Sequence, residues 1–126
     1  MIVADTDVLI DYLRGHGEVA EQVSESLATG LGTTAITAFE LWAGSIGSKR
    51  REAAVEALLG AIDILPLDAA GARRAAAVRR QLELAGRSIG MADSLIAGVC
   101  LHHGAMLLTR NRGHFERVPG LVLVPR

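Results

Sequence analysis

The run Met1-Ile-Val-Ala-Asp-Thr-Asp-Val-Leu-Ile10 decides the fold. Its opening apolar residues are too few for a helix and stop at an acid. Val8, Leu9, Tyr12 and Leu13 then recur at helical spacing until Gly15 and Gly17. The expectation is a short buried strand that turns at Asp5 into a helix. The same alternation continues downstream. A helix over 19–28 ends at Gly30, Leu31-Gly-Thr33 reads as a short strand, and Thr34 or Thr37 caps a helix carrying Ile36, Phe39, Leu41 and Trp42, which Gly44 and Gly47 weaken at its end. An Ala/Leu helix follows over 49–61. Pro66 makes the segment 62–67 a short edge strand or the exit of one. Asp68 caps a long Ala/Arg helix that stops at Gly86, and a further helix spans 90–103. Residues 106–108 and 121–124 are the last strands, with a helical turn over 111–116 between them. Helices between short apolar strands define an α/β domain over 1–126, with a mostly parallel sheet of four to five strands covered on both faces.

Composition narrows the function. At 126 residues the chain has no room for two full-sized domains. Half of it is apolar and 21% is charged, a globular balance. Aromatics make up 3%, which excludes platforms that stack single-stranded bases. No apolar run approaches the ~20 residues of a membrane helix. Asp5, Asp7 and Asp11 occupy the place of a secretory signal's basic and apolar regions, so a cytoplasmic protein is expected. The lone Cys100 sits in an apolar segment and is expected in the core. Net charge is −1 but unevenly spread. Residues 1–48 hold seven acids against Arg14 alone, whereas residues 49–126 hold twelve bases against seven acids. Such a split suits an acidic metal site beside a surface that holds a polyanion.

In an open parallel sheet, sites form beyond the carboxyl ends of the strands. Asp5 stands there, although an Asp before a helix is also an ordinary N-cap. Asp7, one turn into the helix, reads as structural, its charge complementing the helix dipole. Glu40 has Gly44 one turn later on the same face, which leaves room for a large ligand. Thr37-x-x-Glu40 equally matches a capping box. Asp93 lies in the first turn of an apolar helix, with small Ala97 and Gly98 beyond it. Thr109 and Asn111 follow the strand at 106–108 and offer neutral oxygen, or simply a turn. Together, three carboxylates and an amide from separate elements make a hard oxygen set that suits Mg²⁺ or Mn²⁺. Lys49, Arg50 and Arg51 after the Glu40 helix, and Arg110 and Arg112 beside the rim, are candidate phosphate contacts. His102 and His103 end a helix, no histidine spacing matches a zinc motif, and no histidine is assigned a catalytic role.

Four blocks in this order, Ile2-Val-Ala-Asp-Thr-Asp-Val-Leu-Ile10, Thr34-x-x-Thr-x-x-Glu-Leu-x-x-Gly44, Gly90-x-x-Asp-x-x-Ile-Ala97 and Leu108-Thr-Arg-Asn-x-x-His-Phe115, resemble the PIN-domain ribonucleases, specifically VapC-type toxins. The resemblance covers essentially the whole chain. It implies Asp5, Glu40 and Asp93 as metal-binding catalytic carboxylates, with Thr6 and Thr109 as supporting hydroxyls. It places Asn111 where many PIN domains carry a fourth acid, a departure for which Glu116 is a weak substitute. It further implies Mg²⁺- or Mn²⁺-dependent endonucleolytic cleavage of RNA, a homodimer and inhibition by a VapB-type antitoxin.

Two other readings compete. Asp5-Thr-Asp7 after a strand also resembles the opening of haloacid-dehalogenase-type phosphatases, where Asp5 would be a covalent nucleophile and Asp7 an acid. That chemistry needs a downstream lysine, and the only lysine is Lys49. The other is a dimeric interaction module whose acids are only helix caps.

Overall fold

The computed structural model describes residues 1–125. The chain runs β1 (Ile2–Ala4), α1 (Thr6–Arg14), α2 (Gly17–Thr29), β2 (Leu31–Thr34), α3 (Ala35–Ser45), α4 (Lys49–Gly60), β3 (Asp63–Leu65), α5 (Ala69–Leu84), α6 (Met91–His103), β4 (Met106–Leu108) and α7 (Arg112–Phe115). The strands form one sheet in the order β3-β2-β1-β4, with every pair parallel. The α/β expectation therefore holds, with four strands among the described residues. Chain order steps outward from β1 to β3 and then returns to the other side of β1, so the switch point lies between β1 and β4. A crevice opens at such a point in this class of fold.

The fifth strand expected over 121–124 shrinks to a single bridge between Leu123 and Leu107. Two hydrogen bonds hold it, Leu107 N–H to Val122 O and Val124 N–H to Leu107 O, both 2.9 Å. Pro119 and Pro125 bracket the segment, and Pro125 has no N–H with which to extend a ladder. Arg112 Nη1 also donates to Val124 O at 2.8 Å. β3 is the mostly exposed edge strand that Pro66 foretold.

Strand alternation divides the core between the two faces of the sheet. Val3 and Leu107 point to one side and join Val78, Leu82, Ile96, Cys100 and Phe115. Ala4 and Leu108 point to the other and join Val8, Leu9, Val23, Leu41, Val55 and Leu58. Cys100 is fully buried in the first cluster, as its apolar segment suggested, and burial pushes its thiol up to about 12.

α5 and α6 pack closely. A Cβ on Gly98 would stand 2.6 Å from both the Cβ and the backbone N of Ala75. The small residues after Asp93 therefore serve a helix contact and not a ligand. Gly44 is different, because a Cβ there would meet nothing within 4 Å.

Candidate active site

The register Ala4↔Leu108 makes Asp5 and Thr109 neighbours at the carboxyl ends of β1 and β4, and Asp5 N–H continues the ladder to Leu108 O at 2.9 Å. Asp5 caps α1, its Oδ1 accepting from Thr6 N–H at 2.8 Å, while Oδ2 accepts from the Thr109 hydroxyl at 2.7 Å. It is thus a cap and a member of the strand-end cluster at once. Thr109 Oγ1 in turn accepts Asn111 N–H at 2.9 Å, and Asn111 Nδ2 lies 3.3 Å from Asp93 Oδ2.

On the other side, the Thr6 hydroxyl donates to Glu40 Oε1 at 2.7 Å and lies 3.0 Å from Thr37 Oγ1. The capping box expected between Thr37 and Glu40 does not form. Thr34 caps α3 by accepting Thr37 N–H at 3.1 Å, because β2 runs straight into the helix and places its last residue in the cap. Glu40 lies almost two turns further on and faces Thr6 across the rim. Asp5, Thr6, Glu40, Asp93, Thr109 and Asn111, drawn from separate parts of the chain, therefore form one hydrogen-bonded network.

Two residues that the motifs did not single out matter here: Asp7 stands beside the network and His114 joins it. Position alone makes Asp7 a complement to the helix dipole. Its Oδ1 is buried without a partner, and its charge helps raise Asp5. Burial also raises Asp7 itself, against the charge of Arg110. His114 had no assigned role, yet its Nδ1 stands 3.0 Å from Asp93 Oδ2 and 2.9 Å from Asn111 Nδ2. The available signal was the spacing Asn111-x-x-His114, which sets both side chains on one face of a helical turn. His102 and His103 stay outside, at the C-terminus of α6, with His102 3.6 Å from Asp68.

Asp5 is raised to about 7, first by burial and then by the neighbouring charge of Asp7, with a smaller push from Asp93. The hydrogen bonds from Thr109 and Thr6 only partly oppose this. Crowded like charges of this kind are what a cation neutralises. Among the described residues, no three His, Cys, Asp or Glu side chains gather closely enough to hold a metal ion on their own. That suits Mg²⁺, which is commonly held by one or two carboxylates and completed by water and substrate phosphate. With a buried orphan oxygen on Asp7 beside an all-oxygen donor set, the residues fit a hard divalent ion.

A groove of about 480 Å³ runs from Glu40 and Gly44 to α4, lined also by Arg14, Arg50 and Arg51. Lys49 opens α4 next to it. The other proposed phosphate contacts are engaged within the chain. Arg110 Nε lies 2.9 Å from Asp11 and 3.9 Å from Asp7, and Arg112 holds Val124 O with its Nε 3.6 Å from Glu116. Glu116 is thus occupied by Arg112.

The acidic, oxygen-rich crevice lies at the switch point of a parallel α/β sheet, where ligand sites of this class of fold form. Residues 2–121 match the model of the PIN domain, and the chain belongs to that family. It is 36% identical over 91 residues to the tRNA(fMet)-specific endonuclease VapC of Shigella flexneri, covering 70% of this chain and 69% of that protein. To the ribonuclease VapC10 of Mycobacterium tuberculosis it is 33% identical, over 91% of this chain and 86% of the relative. The solved structure of DNA-bound VapBC from Salmonella typhimurium superposes with a TM-score of 0.88 at 27% identity, covering 98% of this chain and 96% of that one. The charged groups that act on Asp5 are carboxylates and not a lysine, and the family match replaces the phosphatase reading.

Proposed function

We propose that this PIN domain is a Mg²⁺- or Mn²⁺-dependent endoribonuclease, the toxin of a VapBC-type pair, acting through Asp5, Glu40 and Asp93. The observation that carries the reading is the hydrogen-bonded network that joins these carboxylates through Thr6, Thr109 and Asn111 at the strand ends. A helix cap needs no such convergence, which counts against a module whose acids only terminate helices.

Asp5 and Asp93 would hold the ion, and Thr109 and the Thr6 N–H fix the two oxygens of Asp5. What a divalent ion supplies at such a site is a more acidic bound water and stabilisation of charge on the phosphate. Glu40 is fixed through Oε1 by Thr6, which leaves Oε2 to orient that water or accept its proton. Arg50 and Arg51 in the groove, with Lys49 beside it, position the RNA backbone without reading bases. Arg110 and Arg112 would serve RNA only on leaving their present partners.

The resemblance to VapBC complexes supports a VapB-type antitoxin as partner. Exposed Phe39 on α3 and Ile46 just past its end support a homodimer. Among the described residues, no helix is long and apolar enough to cross a membrane. The likeness to VapC ribonucleases supports a cytoplasmic site of action. The Shigella relative makes tRNA the first substrate to try. Purified chain free of antitoxin is expected to cut RNA internally with Mg²⁺ or Mn²⁺, to stop in EDTA, and to leave phosphomonoesters intact. Full cleavage in EDTA would sink the reading.

A further inference from the structure

We propose that Asn111 and His114 are positioning residues that fix Asp93 by holding its Oδ2, which leaves Oδ1 to face the ion. The inference rests on the reading of Asp93 as a ligand, and it assigns a task to a histidine that the reaction scheme does not use.

The turn that carries both residues is anchored at two places. Phe115, next to His114, is fully buried. Asn111 N–H is tied to Thr109 Oγ1, the same hydroxyl that donates to Asp5. From this fixed turn, His114 Nδ1 reaches 3.0 Å and Asn111 Nδ2 reaches 3.3 Å, both to the same oxygen of Asp93.

Their protons follow from what each atom can do. An ionised carboxylate only accepts, so a proton on His114 Nδ1 gives a charge-assisted hydrogen bond to Oδ2. The opposite tautomer would let Nδ1 accept from Asn111. It would also turn the ring's lone pair toward a carboxylate oxygen 3.0 Å away, a repulsive arrangement unless a cation lies between them. His114 Nδ1 therefore carries a proton, and Oδ2 receives two donors. A ligand carboxylate without such partners swings about its χ2, and loss of partners of this type commonly lowers metal affinity by about 10- to 100-fold.

Two measurements test this on the full chain. In the metal-free protein, long-range ¹⁵N–¹H correlation should show His114 as the Nδ1–H tautomer, and Asp93→Leu should release it. Mn²⁺ binding is then titrated by calorimetry for wild type, His114→Asn and His114→Leu, with melting temperature as a control for folding. His114→Asn keeps an N–H near the Nδ1 position and should bind Mn²⁺ close to wild type. His114→Leu should bind about tenfold more weakly with its fold intact.

Equal Mn²⁺ affinity in His114→Leu would overturn the proposal. So would an Asn variant as weak as the Leu variant, or pulsed EPR showing an imidazole nitrogen bonded to Mn²⁺, which would make His114 a ligand. Failure of the underlying reading looks different: wild type would then bind no Mn²⁺ while His114 still shows the Nδ1–H tautomer.

Discussion

Replacing Asp5 with Asn should stabilise the metal-free protein while abolishing cleavage. Asp5 is 5% exposed, and burial beside Asp7 raises its carboxyl to about 7 from 3.8. An acid whose folded value is raised weakens the fold as pH rises. The cost is absent below about 4, grows between 4 and 7, and stays constant above, where it amounts to roughly 4 kcal/mol. Asn carries no charge but offers one acceptor where Asp5 uses two, for Thr6 N–H and the Thr109 hydroxyl. Losing one such bond costs about 1 kcal/mol. The net gain is about 3 kcal/mol at pH 8, or roughly 10 °C in Tm for a chain of this size. Calorimetry in EDTA at pH 8 and at pH 4 reads this directly, since the gap between variant and wild type should close on acidification. Millimolar Mn²⁺ should raise the wild-type Tm at pH 8 and leave the variant unmoved. A variant that melts below wild type by the same margin at both pH values would refute the reasoning, because Asp5 would then be a plain cap.

Glu40→Gln keeps the oxygen that accepts from Thr6, so the fold should hold while RNA cleavage is lost; cleavage at the wild-type rate would remove Glu40 from the site. Thr34→Ala should cost about 1 kcal/mol in urea melts, because Thr34 and not Thr37 supplies the cap of α3. Two helical glycines should respond oppositely. Gly98→Ala collides with Ala75 and should lose about 3 kcal/mol. Gly44→Ala meets open space and should gain up to ~1 kcal/mol.

The parts of this fold that obey local rules were legible in the sequence. The turn at Asp5 follows from an apolar run, an acid and a 3.6-residue repeat, and Asp68 caps α5 as its position suggested. The strand over 121–124 was overextended because apolar residues there pack against the sheet with only one bridged position. Glu40 shows the limit most clearly. Its local pattern fits a capping box, and only the packing of α1 against α3 decides that Thr6 is its partner. Asp5, Glu40 and Asp93 could be gathered from motif spacing, and the spacing Asn111-x-x-His114 hinted at His114. That His114 reaches Asp93 and that Asp7 is buried could not be read, because they depend on where α7 is pinned and how deeply α1 is buried.

The contact between Gly98 and Ala75 bears on how the molecule can move. Where backbone meets backbone without intervening side chains, there is no soft layer to shear, and the two helices travel as one block. Asp93 rides on that block, whereas Glu40 and the arginine-lined groove belong to α3 and α4 on the other side of the crevice. Any opening that parts Asp93 from Glu40 therefore carries α5 and α6 together. Amides along their contact should exchange with solvent slowly and at a common rate.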